Sequence, residues 1–236
     1  MTIVQHLDEF RTRLLRSIWA LLIAVTVAMI FYKDLIDVAT IPHVRAMGWL
    51  GKTASFSLSD LMGSVGAIMK LACIVGLFVA SPYLAREMWG FVSAGLYRDE
   101  KRYVKAFAPA SFLLFLLGCV FGYFILIPYA LYAMVSMMPL DKVQPIIDIG
   151  NYLGLVLTLT ILLGLVFQLP VVMTFFTKIG LVESARWRSW RKGAIVGNIV
   201  LAAVLAPPDL LSMGIFVLPL LVLYEAGVVC ASLASK

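Results

Sequence analysis

The sequence predicts an all-α membrane protein whose six transmembrane helices form one curved, cupped bundle, and three observations predict it. Hydrophobic residues make up 62% of the 236 and charged residues only 14%, where an ordinary soluble domain carries roughly a quarter charged. The apolar residues gather into six runs, most of them near the ~20 residues that a bilayer-crossing helix needs. Basic residues alternate between the connections. Fourteen of the 19 Lys and Arg fall in 1–17, 85–106, 178–192 and 231–236, four fall in 33–61, 135–148 and 206–210, and Lys70 stands inside a run. By the positive-inside rule this split puts both termini in the cytoplasm of a multi-pass inner-membrane protein. The whole chain, 1–236, reads as one polytopic domain.

Hydropathy places the spans near 14–32, 62–84, 107–134, 149–177, 193–205 and 211–234. The run starting at Leu14 lacks a small-residue cleavage site and is followed by further spans, so it reads as a first helix and not as a signal peptide. Residues 33–61 read as the longest outer loop, with Pro42, Gly48 and Gly51, and Ser59 or Asp60 as an N-cap for the second helix. Asp148 is placed to cap the fourth in the same way. The fifth span would be only about 20 Å long as a helix, against a ~30 Å hydrocarbon core. Pro82, Pro109, Pro128, Pro170 and Pro219 each remove a backbone donor and bend their helix, hence the curvature. No internal repeat is visible, which weighs against an inverted-repeat transporter.

A net charge of +6 belongs with orientation in the membrane rather than with nucleic acid. Cys73, Cys119 and Cys230 lack metal or disulfide spacing and read as small packing residues. No cofactor is implied. The two histidines, His6 and His43, accompany no nucleophile–base pair, phosphate loop or zinc motif, and enzymatic function is unsupported.

Polar groups in or at the edges of the spans carry more information, because they are expensive in lipid. Gln168 lies well inside the fourth span, where it either satisfies a carbonyl freed by Pro170 or a neighbouring helix, or has a functional role. Asp209 reads as an N-cap of the sixth helix, Glu225 as a carboxyl that must be neutral or paired, and Lys70 as a snorkelling side chain. On the cytoplasmic side, Leu7, Phe10 and Leu14 recur at helical spacing, predicting an amphipathic helix at the membrane surface. The first cytoplasmic loop runs from Trp89-Gly90-Phe91 to Leu96-Tyr97-Arg98-Asp99-Glu100-Lys101-Arg102, an aromatic belt followed by charge.

Taken in order, these stretches resemble the TatC family. His6-Leu7-x-Glu9-x-Arg11-x-Arg13-Leu14 is similar to its opening motif. Ser81-Pro82, Trp89, Phe91, Leu96-Tyr97 and Glu100-Lys101-Arg102 are similar to its first cytoplasmic loop. Phe167-Gln168-Leu169-Pro170, Ala206-Pro207-Pro208-Asp209 and Tyr224-Glu225 are similar to its fourth span, last outer turn and sixth span. The resemblance implies a six-helix, cupped subunit with short fifth and sixth helices that receives twin-arginine signal peptides at its cytoplasmic face. It also implies TatB-like and TatA-like single-span partners, a homo-oligomer within the complex, contact with membrane lipid, and export of folded proteins driven by the proton-motive force. Glu9 and Glu100 are the implied signal-binding carboxylates, with Arg11, Phe91, Leu96 and Tyr97 beside them. Gln168, Asp209 and Glu225 are the implied intramembrane polar or partner positions. A guanidinium fork pairs bidentately with a carboxylate and lysine copies this poorly, which suits such a site.

The sequence departs from the family at Gln168, where many members have glutamate, at Ala94, where a proline is usual, and at Ala206 and Met213, where some have polar side chains. Two other readings stay open on the residues alone. A small-molecule secondary transporter is motivated by Gln168, Glu225 and Lys70, and a scaffold for other membrane proteins by the same spans without transport.

Overall fold

A computed structural model describes residues 3–57, 61–97, 100–139, 145–205 and 210–235. Helix α1 (Ile3–Ile30) is continuous, since no glycine or proline interrupts it. The amphipathic stretch around Leu7 to Leu14 is therefore not a separate surface helix, as expected, but the first turns of the first span. Residues 33–61 are likewise not simply a loop: α2 (Tyr32–Trp49) occupies most of them. Its buried Ala39, Pro42, His43, Ala46 and Met47 recur every three or four residues, the spacing of one helix face. Beyond it, β1 (Phe56–Ser57) pairs in parallel with β2 (Ile147–Asp148), tying together two connections far apart in sequence. Ser59 and Asp60 lie outside the described residues.

The second crossing, α3 (Leu61–Ala94), runs ten residues past the expected end at 84. The third is α4 (Lys101–Phe121), a π-helical turn at Gly122–Leu126, and α5 (Ile127–Ser136). The fourth is α6 (Ile149–Val166) followed by α7 (Leu169–Lys178), broken between them at Phe167 and Gln168 just before Pro170. Asp148 caps α6 as expected, its Oδ1 accepting the Asn151 N–H at 2.9 Å. After α8 (Ser184–Ser189) come α9 (Arg191–Leu205) and α10 (Leu210–Ala234). Among the described residues, five helical stretches are long and apolar enough to cross a membrane: 4–30, 65–94, 101–136, 149–178 and 213–234. With 15 residues, α9 reaches only about 22 Å. The expectation of a short sixth helix fails, because α10 has 25 residues, about 37 Å at the same rise, and Pro219 does not end it.

The core is built from α2, α3, α5, α6 and α10 around Met47, Leu126, Ile127, Tyr152, Leu153 and Leu220. Hydrocarbon supplies no hydrophobic drive between helices, so close backbone approach matters more. At Gly76 a Cβ would come within 2.9 Å of the Val25 backbone, and at Gly118 within 2.7 Å of the Leu163 carbonyl. These two glycines let α1 close on α3 and α4 on α6.

Prolines inside these helices strip a donor from the carbonyl four residues back, and in three cases a side chain replaces it. Pro82 frees Phe78, whose carbonyl accepts the Ser81 hydroxyl at 2.6 Å. Pro42 frees Val38, which accepts the Tyr123 hydroxyl. Pro128 frees Phe124, whose carbonyl accepts a guanidinium N–H of Arg45 at 3.2 Å. Helix α2 and the π-helical turn thus satisfy one another's exposed carbonyls, which explains why α3 continues past Pro82 and why α2 forms despite Pro42. Tyr152 adds a bond of 2.6 Å to the Ala39 carbonyl.

His43 is fully buried at this end of the molecule, 4.5 Å from the Phe56 ring and 5.8 Å from that of Tyr152. Neither ring nitrogen has a hydrogen-bond partner. Burial holds its pKa below the ordinary 6.5, and the Ser55 backbone offsets this in part without the geometry of a full hydrogen bond. A depressed histidine pKa means that the unfolded chain takes up the proton first. The stability it carries is therefore complete above pH 6.5 and lost as the pH falls toward the folded value. Thermal unfolding followed in detergent from about pH 8 to about pH 5 is expected to show wild-type protein losing more stability on acidification than His43→Phe. Equal losses would remove His43 from the account.

Candidate functional site

Contacts gather one set of termini at a single end of the molecule. His6 stacks on Phe91 with ring centroids 4.6 Å apart, and Phe10 meets the same ring edge-on at 5.3 Å. A Cβ at Gly95 would lie 3.6 Å from His6 Cε1, so the connection after α3 sits beside the first turns of α1. Lys178 reaches the last turn of α10, donating to the Ala234 carbonyl at 3.1 Å, and lies 5.7 Å from the Tyr103 ring. The four segments that carry the excess of basic residues in the sequence therefore share one end, and the β1–β2 pair marks the other.

At this end the opening motif is the joint between α1 and α3. Arg13 donates from Nε to Glu9 Oε1 at 2.7 Å, and its Nη2 lies 2.6 Å from the same oxygen. Its Nη1 donates to Glu87 Oε2 at 3.1 Å. A Cβ at Gly90 would come within 2.0 Å of Arg13 Nη1, so the guanidinium fills a slot that only glycine leaves open. Glu87 is 5% exposed at its side chain, Arg13 24% and Glu9 32%. A carboxylate buried that deeply is sustained by its ionic partner.

The remaining predicted residues fall at varied distances from this joint. Glu100 accepts the Tyr97 backbone N–H at 3.0 Å, folding the chain back before α4. Tyr97 is 80% exposed, while Leu96 packs on the cluster of Trp89, Val171 and Phe175. Arg11, two residues and some 200° around the helix from Arg13, is exposed and makes no contact with this group among the described residues. Residues 98–99 and Asp209 lie outside the described residues. Glu87 is the member that sequence reasoning missed. Once α3 extends to Ala94, the spacing of Glu87, Gly90 and Phe91 puts all three on one helix face, a signal hidden by ending the span at 84.

Deeper in the molecule, Gln168 does what the simpler of its two readings required. Its Nε2 donates to the Ser111 carbonyl at 3.1 Å and more weakly to that of Gly164 at 3.4 Å, and its Oε1 accepts the Ser111 hydroxyl. The amide thus serves the break between α6 and α7 and the neighbouring α4. Beside it opens a hollow of about 230 Å³ with Leu77, Leu84, Met88, Phe115 and Leu165 in its walls. Glu225 is paired, with Oε2 2.7 Å from Arg191 Nη2, which fastens the start of α9 to α10. Lys70 donates to the Gly150 carbonyl at 3.1 Å, at the start of α6.

Long apolar helices, with basic residues concentrated at one end, define a polytopic helical membrane protein. The family described as "Sec-independent protein translocase protein (TatC)" matches over residues 5–219. A Desulforapulum autotrophicum protein of that name is 34% identical over 98% of this chain and 84% of its own length. One from Azotobacter chroococcum is 36% identical over 97% and 88%. A solved structure described as the twin arginine translocase receptor TatC superposes with a TM-score of 0.84 at 30% identity, covering 98% of this chain and all of the other. The chain belongs to the TatC family, and it is a membrane-embedded, multi-pass translocase subunit rather than an enzyme.

Replacing Gln168 by leucine leaves the Ser111 hydroxyl and two carbonyls without their partner, at a cost of about 1–3 kcal/mol. Gln168→Leu is accordingly expected to unfold several degrees below wild type in detergent, and an unchanged midpoint would show that the amide is not structural.

Proposed function

We propose that the end formed by α1, α3 and the start of α4 faces the cytosol and receives the twin-arginine signal peptides of folded precursors. Glu9 and Glu100 pair with the two guanidinium groups. Phe91, Leu96 and Tyr97 supply apolar contact beside them, and Arg11 flanks the site. The observation that carries this reading is the packing of His6 and Phe10 on Phe91, which brings the opening motif to the first connection. Without that contact the two carboxylates would belong to unrelated parts of the surface. The hollow beside Gln168 accepts the apolar segment of the signal or a partner helix, and its apolar walls suit either.

In the same reading the chain is a single domain in the inner membrane with both termini inside. Its 14-to-4 distribution of basic residues supports that orientation. Helix α9 makes a sixth, short crossing with the bilayer thinned around it, completing a cupped bundle. Much of α9 is exposed, and no atom lies within 4 Å of the Cβ positions of Gly193 and Gly197. Small residues four apart on a free helix face suit a single-span partner, here a TatB-like or TatA-like subunit. Further copies of this chain complete the complex, Asp209 and Glu225 serve as partner positions, and the proton-motive force supplies the energy. The pairing of Glu225 with Arg191 and of Lys70 with Gly150 gives these groups structural partners, which favours this reading over a solute transporter.

A photoreactive residue at position 91 in the assembled translocase is expected to crosslink to a twin-arginine precursor. Changing the precursor's two arginines to lysines is expected to reduce the crosslink at least tenfold, the factor that corresponds to about 1.4 kcal/mol of binding. Equal yields from the two precursors would overturn the assignment.

A further inference from the structure

Glu87 is the charged group that this receiving site does not yet explain. It is nearly buried on α3, and its ionic contact is Arg13, not solvent. Arg13 in turn spends its fork on two carboxylates at once, Nε and Nη2 on Glu9 and Nη1 on Glu87. Both short contacts to Glu9 fall on Oε1, so its Oε2 is left to other donors. The trio of two carboxylates and one guanidinium carries a net charge of −1. Of the two carboxylates Glu9 is the more exposed, so a ligand can meet that charge there.

We propose that Arg13 and Glu87 are positioning residues that set the receiving site's preference for arginine. Glu87 anchors Arg13, and Arg13 holds Glu9 in a single orientation with one oxygen engaged and the other available to an incoming guanidinium. This rests on the reading of the end face as a signal receptor. Glu87 is too buried to touch a peptide, so its influence passes through Arg13. Without the Glu87 charge, Arg13 would be committed to Glu9 alone and the pair would be neutral, with nothing left to attract a second guanidinium. A lysine at position 13 would keep the charge but lose the fork that spans both carboxylates. Gly90 belongs to the same device, since any side chain there evicts the guanidinium from its slot.

Removing Arg13 itself would strand Glu87 without a counter-charge and confuse folding with recognition. Glu87→Gln keeps the shape and removes only the charge, and Gly90→Ala shifts the Arg13 guanidinium out of its slot while leaving its charge beside Glu87. The measurement is the affinity of the full-length chain in lipid nanodiscs for two fluorescent synthetic peptides. Each carries an apolar segment, preceded in one by paired arginines and in the other by paired lysines.

Wild type is expected to prefer the arginine peptide by at least about tenfold, and Glu87→Gln to lose about tenfold in affinity for it. Its affinity for the lysine peptide is expected to change by less than about twofold, so that the preference collapses. Gly90→Ala is expected to do the same, and the double variant to lose little more, because both changes act through one residue. A Glu87→Gln protein that keeps the wild-type preference, or that loses both peptides in equal measure, overturns the positioning role while leaving the receptor reading intact. A wild-type protein that does not distinguish the peptides overturns both. Should Glu87→Gln fail to fold, the same comparison with Gly90→Ala decides the matter.

Discussion

Hydrocarbon offers no water to a backbone carbonyl, so any carbonyl deprived of its helical donor has to be served by protein. That constraint organises this molecule from α2 to its middle. Prolines at 42, 82 and 128 each free a carbonyl, and the side chains of Tyr123, Ser81 and Arg45 take them up. Two of the three bonds cross between α2 and the third crossing, so the bends and the contacts between helices come from the same residues. Gln168 extends the pattern at the break between α6 and α7, where it joins Ser111 of α4.

A neutral amide at position 168 suits that role. It both donates and accepts, whereas an ionised carboxylate could only accept, and it faces two carbonyls that need donors. Glutamine at this position therefore leaves the local bonding complete. Charge is kept instead at the ends: Arg191 with Glu225 at the start of α9, and Arg13 with Glu9 and Glu87 where α1 meets α3. The second group is the more consequential. It shows the opening motif to be an interhelical joint, with Gly90 emptied of a side chain so that a guanidinium can lie against α3.

Much of this was legible in the sequence because bilayer thickness fixes the length of an apolar run and the alternation of basic residues shows which connections share an end. The spans at 107–134 and 149–177, the break near Pro170 and the cap at Asp148 could be read that way. Helix α2 could not, because its apolar face is narrow and Pro42 argues locally for a loop. What rescues it is the hydroxyl of Tyr123, some eighty residues away. The last ten residues of α3 lie beyond the apolar run, which Arg86 and Glu87 interrupt, and this hid the relation of Glu87 to Phe91. Hydropathy ends the span at 84 and does not register that Ser81, next to Pro82, replaces the lost donor. Length separated the last two helices. Charged residues bound α9 closely, whereas α10 continues through Pro219 and is not short.

The account turns on which side of the membrane the Glu9 and Glu100 end occupies. In a cysteine-free background, Tyr97→Cys and Lys52→Cys mark the two ends at exposed positions. A thiol reagent that cannot cross the membrane is expected to label Lys52→Cys in intact cells, and Tyr97→Cys only after the inner membrane is opened. Labelling of Tyr97→Cys from outside would place the carboxylates where no precursor waiting in the cytosol can reach them, and would contradict the account.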